Sequence, residues 1–469
     1  MKKCLSLSLI ALFSTALFGQ TGTWPIKFHN GTKIYADSEI YVWFMVNAPA
    51  NGHIDKNGVV QPYKTADVNA AGHYTRNGIN YAPYAVRLSD MVNFRCPTIT
   101  GGGRIYMSVG APLCLNVTDN GCALPDPLNP NDPNHNIYYD WFELTYGYNG
   151  TPFGGNSTQV DLFGFPYVAT VYQSSSHFLD SCGYSGISMP QVMKLFKDSM
   201  SAPFQASIQP TRVLAPSMSS QFAPGGAYAN YFQPYIDSLW ALWSASPFTI
   251  KYGGGTWTLS AKSTDTLTVT GTNSGLLGKP TTQGIWGNGF GPIGIINMVA
   301  PLSSAMCRGV ARDTSWYNNP STYYKKSTYK SEYAELLHKI AIHNKAYGFG
   351  YDDNNNQSSV LILGNSQPLD SLVINFGSFE PLSTIAVVPE QKPRASLHAI
   401  RMGTDNIVVV QSASPIEKVT LVSLNGKSMH RSLRVDNNAF SIAGLSAGTY
   451  YVRITDRRGF TTTQKVYKE

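Results

Sequence analysis

Two short segments hold the residue types that acid–base chemistry requires. The first is Tyr138-Tyr139-Asp140-Trp141-Phe142-Glu143-Leu144-Thr145-Tyr146; the second runs from Asn156 through Ser157, Thr158, Gln159, Val160 and Asp161 to Pro166. Both read as strands, in which alternate side chains share a face. That predicts Trp141, Glu143 and Thr145 on one face of the first, and Gln159, Asp161 and Phe163 on one face of the second. Acidic residues are depleted in strands, so an acid on each aromatic face asks for a reason. If the strands are neighbours, two carboxylates and an indole meet on one open surface. Glycoside cleavage uses such a pair: one carboxyl group protonates the leaving oxygen while the other activates water or attacks the sugar. The plainer reading is that Glu143 or Asp161 pairs with a Lys or Arg at a sheet edge, and spacing alone leaves both open.

Other familiar sites do not form. There is no HExxH, and His338 and His343 are five apart, so they do not stack as i, i+4 ligands on a helix face. No GxSxG nucleophile elbow is present. Gly289-Phe290-Gly291-Pro292-Ile293-Gly294 matches GxGxxG, but proline sits inside the turn and no βαβ unit surrounds it, so a glycine loop leading into a helix is the better reading. Asp352-Asp353-Asn354-Asn355-Asn356 offers oxygen ligands without the alternating acids or closing Glu of a calcium loop, and reads as an Asx-rich turn. No metal or cofactor is expected.

Positioning such a pair requires a sheet scaffold, and the composition supplies one. The chain has 469 residues, 43% hydrophobic, 12% aromatic and only 13% charged, with 42 Gly and 28 Pro. This suits loop-rich β structure in two or more domains and excludes a coiled coil, a helical bundle, a collagen and a disordered chain. Strands are expected at Ile40 to Asn47, Arg104 to Val109, Tyr138 to Tyr146, Gln159 to Phe163 and Thr256 to Thr270. Three helices stand out: one opened by a capping box at Ser188 and running to about Met200, one over Tyr231 to Trp243, and one over Glu332 to Lys345. The 126–136 stretch is a Pro/Asn loop.

The chain changes character along its length. Lys2 and Lys3 precede an apolar run from Leu5 to Phe18, too short to span a bilayer, and 1–19 is expected to be a secretory signal. Residues 20–388 are expected to form the main region, 389–396 a linker and 397–469 a small C-terminal β-sandwich. Residues 20–389 carry 21 Lys+Arg against 22 Asp+Glu, whereas 390–469 carry 12 against 6, and all eight Trp lie between Trp24 and Trp316. The near-neutral large part has nothing to neutralise phosphates, so nucleic acid is not an expected partner. No later segment qualifies as a membrane span. In an oxidising compartment one or two disulfides are expected among Cys96, Cys114, Cys122, Cys182 and Cys307, with connectivity open.

The tail carries Leu424-Asn425-Gly426-Lys427, then Gly444 to Ile454 (GLSAGTYYVRI) and Lys465 to Lys468. It resembles the sorting domain of bacterial type IX secretion, which implies a secreted or surface-attached protein whose tail engages the secretion machinery. A carbohydrate-binding or spacer sandwich is the alternative, although no Trp is present there to stack on sugar.

The large part, from about Ile26 to Phe376, resembles glycoside hydrolase family 64. The landmarks are DWFELTY (140–146), STQVDLFGFP (157–166), RVLAPS (212–217), CRGV (307–310), STYYK (321–325) and HKIAIHNKAYGFGYDDN (338–354). The resemblance implies a thaumatin-like β-sandwich or barrel plus a mixed α/β domain lining a wide groove, mainly β with an α+β portion. It implies endo-acting hydrolysis of β-1,3-glucan by inversion, with Glu143 as general acid and Asp161 as general base. The family's polar substrate positions fall on Thr145 and Thr158, with Asn149 and Phe153 as further contacts. Sugar-face stacking adds Trp141, and also Tyr323 and Tyr351, each with an equally ready core-packing role. Two other classes remain: a glucan-binding protein without catalysis, and an adhesin displayed by the tail.

Overall fold

The computed structural model describes residues 22–47, 51–147, 151–287, 291, 296–365 and 367–381, and in the tail 398–402, 407–411, 416–422, 428–436, 439–456 and 461–468. The expected signal peptide and linker, Asn149, and most of the Gly289–Gly294 loop lie outside these residues. The chain divides into two compact units, Met1–Ser383 and Thr384–Glu469.

The first unit is built on a large antiparallel sheet. Its central order is Thr151–Asn156, Tyr138–Gly147, Ile99–Val109, Ile40–Val46 and Gly52–Ile54. Period-two alternation sorts its side chains into two clusters. Val42, Phe44, Ile105, Met107, Phe142 and Leu144 join one core, while Trp43, Tyr106, Tyr139 and Trp141 join a second on the opposite face. The first core is shared with a five-stranded sheet ordered Phe178–Gly183, Tyr167–Gln173, Ser371–Phe376, Thr23–His29, Arg95–Pro97. There the first and last strands of the unit lie side by side in parallel, Ile26 opposite Leu372, which ties its two ends together.

A mixed α/β part follows. The Met189–Ser199 helix has the expected box: Gln191 N–H donates to the Ser188 hydroxyl and Ser188 N–H to the Gln191 side chain. The second expected helix spans Gln233–Ala245, with Trp243 stacked on Phe248 at 5.0 Å. The third stops at Ile340, not Lys345, because Ala341 is extended and His343 and Asn344 take positive φ. The helix expected after the Gly289–Gly294 loop is Ile296–Cys307, with Pro301 inside it; buried Met298, Val299, Leu302 and Met306 hold it in the core. The single run expected over Thr256 to Thr270 is two strands, Gly255–Ala261 and Thr266–Gly271, of a four-stranded sheet.

The expected disulfides are not formed: the five described cysteines are all free thiols. Cys122 faces Val117 across its hairpin, not Cys114, and Cys96, Cys182 and Cys307 are buried in the apolar core. The second unit holds two four-stranded antiparallel sheets around Val408, Val419, Leu421, Phe440, Ile442, Val452 and Ile454.

Candidate active site

Glu143 stands on a central strand, and sheet register decides what it meets. Directly opposite it on the Ile99–Val109 strand is Arg104, and on the other side Asn156. One pair along, Trp141 faces Tyr106, which faces Trp43. Arg104 therefore reaches three partners without leaving the sheet. Its Nε and Nη2 lie 3.0 and 2.9 Å from Glu143 Oε1, its Nη1 donates to the Tyr106 hydroxyl at 3.1 Å, and its guanidinium sits 5.3 Å from the Trp141 ring centre. The pair is about one-third exposed (28% and 33%), neither locked in the core nor free in solvent.

Asp161 arrives by a different route from the one expected. The strand anticipated over Gln159 to Phe163 is only Leu162–Phe163; Asp161 lies in a bend just before it. Gln159 and Phe163 do not share its environment. Both are fully buried, Gln159 accepting from the Tyr184 hydroxyl and Phe163 packed edge-on to Tyr184. The cause is backbone pairing. Thr158 bridges Tyr347, Gln159 N–H donates to Tyr347 O, and Ala215 N–H donates to Asp161 O, so the chain crosses between elements instead of continuing a ladder. The Asp161 side chain borders a cavity of about 80 Å³ with Arg104, Tyr106, Trp141, Leu124 and Met218. Burial raises its pKa, the Arg104 charge opposes this, and the Glu143 charge adds to it.

Asp140 joins the two segments, and sequence reasoning gave it no role. Its fully buried carboxyl accepts the Gly164 N–H at 2.8 Å and its neighbour Trp141's N–H at 2.7 Å. Gly164 passes so close that a Cβ there would lie 1.8 Å from Tyr139 O. The DWFELTY strand and the DLFGFP turn are thus stitched backbone to side chain, which sets Asp161 beside the Arg104–Glu143 pair. The signal was an acid at a position whose strand neighbours are all core. Arg212 works similarly. Its Nη2 donates to the carbonyls of Asn134, His135 and Ile137, and its guanidinium lies 4.2 Å from the Tyr139 ring centre, which holds the Pro/Asn loop.

The remaining candidates separate. Thr145 is half-buried on the Glu143 face, opposite Gly154, above which there is open space. Thr158 is buried and accepts the Val160 N–H, tying the bend internally. Trp141 floors the site but is only 4% exposed, with Arg104 over its ring, so it is not a free stacking platform. Phe153 is a correction: it is fully buried on the opposite face among Trp24, Phe142 and Tyr146, because residue parity turns it inward. Tyr323 takes the core-packing alternative, buried with Arg308 stacked 4.8 Å from its ring centre. Tyr351 is half-buried and belongs to the Asp352 turn, where Ser304 and Asn354 bind its carbonyl. In that turn Asp352 forms a buried triad with Arg308 at 2.9 Å and His338 at 3.0 Å. Burial alone would raise the Asp352 pKa, but His338 and Arg308 outweigh it and hold it below the usual range. The triad fixes the 344–354 loop, which delivers Tyr347 to Thr158. The Tyr347 phenol is close enough to feel the Glu143 charge, and this residue was missed as a candidate. A larger cavity of about 580 Å³ around His53, Tyr84 and Arg87 contains no member of either motif segment.

The same fold occurs in solved β-1,3-glucanases. A β-1,3-glucanase domain from Clostridium beijerinckii superposes with a TM-score of 0.68 at 27% identity, covering 76% of this chain and 98% of that one. A laminaripentaose-producing β-1,3-glucanase from Paenibacillus barengoltzii superposes at 0.62 with 28% identity, covering 76% and 75%. Residues 22–373 match the family described as Beta-1,3-glucanase, and the chain belongs to that family, glycoside hydrolase family 64. A glucan endo-1,3-beta-glucosidase of an Arthrobacter species is 24% identical over 381 residues, 73% of this chain; the chain spans 66% of that relative's length. Residues 404–469 match the Secretion system C-terminal sorting domain, which marks the protein as secreted or held at the cell surface.

Proposed function

We propose that the protein is an endo-β-1,3-glucanase that cleaves its polymer by inversion, with Glu143 as acid and Asp161 as base. The observation that carries this is that Arg104, ion-paired to Glu143 on the aromatic-floored face of the sheet, also lines one cavity with Asp161 and feels its charge. In the reaction Asp161 takes a proton from water, the water oxygen bonds to the anomeric carbon, and Glu143 gives its proton to the departing glycosidic oxygen. Inversion leaves room for that water, with carboxyl groups about 6.5–9.5 Å apart. Thr145 beside the open space over Gly154 is the polar contact to a neighbouring sugar. The β-rich part is read as thaumatin-like, and the tail as the element that engages the export machinery.

The Glu143–Arg104 ion pair favours a second reading, in which the roles are exchanged. Arg104 occupies Glu143 Oε1, while burial pushes Asp161 toward its protonated form. Laminarin separates all the readings. Release of reducing ends, lost by about 10²–10⁴-fold in both Glu143→Gln and Asp161→Asn, supports the pair; binding without release returns the protein to a glucan-binding module. An α-anomeric first product by NMR establishes inversion. An aryl glucoside with a good leaving group needs no acid, so the variant that retains activity on it has lost the acid.

A further inference from the structure

One cation is ion-paired to Glu143 and within charge reach of Asp161, and its placement is fixed by the sheet. Arg104 is opposite Glu143 in register, so no loop movement brings it there. Both of its contacts to Glu143 go to Oε1, which leaves Oε2 without a hydrogen bond among the described residues. The Tyr106 hydroxyl and the Trp141 ring hold the guanidinium from two further directions. Asp161 lines the same cavity. Four phenols lie within charge reach of the pair, Tyr106 of both carboxylates, Tyr167 and Tyr347 of Glu143 and Tyr333 of Asp161, each raised by burial first and thus neutral.

We propose that Arg104 is the positioning residue of the acid pair: forked onto Glu143 and within charge reach of Asp161, it compensates one carboxylate charge, so that the pair does not take up a second proton in the working pH range. This rests on the reading of Glu143 and Asp161 as acid and base. An acid–base reaction needs a singly protonated pair, whichever carboxyl holds the proton. With no cation, two carboxylates in a partly desolvated groove repel each other and take up a second proton at higher pH, and the base is lost.

The test uses the full chain with laminarin across a pH series. Arg104→Met and Arg104→Gln are expected to move the acid limb of kcat upward by about 1–3 pH units, the range an adjacent opposite charge commands, with KM little changed. Arg104→Lys keeps a point charge without the fork; it should restore the limb but only part of kcat. Carboxyl titration by 13C NMR, assigned with Glu143→Gln and Asp161→Asn, should show the same upward move without any turnover. A kcat loss with an unmoved limb, not relieved by lysine, would mean a merely structural arginine and would overturn the proposal, as would unmoved carboxyl titrations. If the wild type hydrolyses no glucan, the functional reading falls, while the titration still decides what Arg104 does to the two carboxyls.

Discussion

Asp140 links stability to pH in a way that can be worked out from its surroundings. It is fully buried, and burial pushes its pKa up to about 7, against the pull of the Gly164 and Trp141 N–H groups. In the unfolded chain an Asp titrates near 3.9. Between about pH 4 and pH 7 the unfolded state therefore binds fewer protons at this site than the folded state, and stability falls as pH rises. Over about three pH units at about 1.4 kcal/mol each, the loss comes to ~4 kcal/mol. Asp140→Asn is neutral at every pH and has no such dependence. Its amide offers one acceptor where the carboxyl offers two, so one of the two N–H groups faces an NH₂, at a cost of about 1–3 kcal/mol. The variant should thus be less stable than wild type at pH 4 and as stable or more so at pH 8. Because every tryptophan lies in the first unit, tryptophan fluorescence in urea follows that unit alone in the full chain. Taking the difference between the two proteins cancels the other titrating groups. Unfolding midpoints that stay parallel from pH 4 to 8 would refute the argument.

Phe153→Ala should destabilise the first unit by about 3–5 kcal/mol, the usual cost of emptying a buried aromatic site, yet leave the KM for laminarin of the folded protein unchanged. A raised KM would put Phe153 at the substrate after all. Deleting 384–469 should leave fluorescence unfolding and hydrolysis as they are, since Ile26 pairs with Leu372 to tie the first unit's own ends together, but the protein should no longer reach the surface of the cell that makes it. Lost hydrolysis in the truncated protein would make the tail part of the catalytic unit.

Local pattern determined much of this protein. Alternation along Ile40–Val46, Ile99–Val109 and Tyr138–Gly147 predicted which side chains share a face, because a pleated strand permits only two. The Ser188 box placed a helix start from two side chains, since orphan N–H groups at a helix end need acceptors nearby. Glu143 and Asp161 were legible as candidates because acids among aromatics in strand-like segments run against propensity. Tertiary structure alone decided what those patterns left open. Register put Arg104 opposite Glu143, and nothing in the spacing of two residues 39 positions apart in the chain encodes that pairing. Thr158, Gln159 and Asp161 took partners on the Tyr347 and Ala215 segments, which broke the expected strand and left Asp161 lining the Arg104 cavity. Asp140 could be given a role only once Gly164 lay against it. Pro301 marks the limit in the other direction: propensity argues against a helix there, and burial of its apolar neighbours outweighs propensity. Periodicity is a property of neighbouring residues. A site is made by contacts between distant ones, and those exist only after the chain has folded.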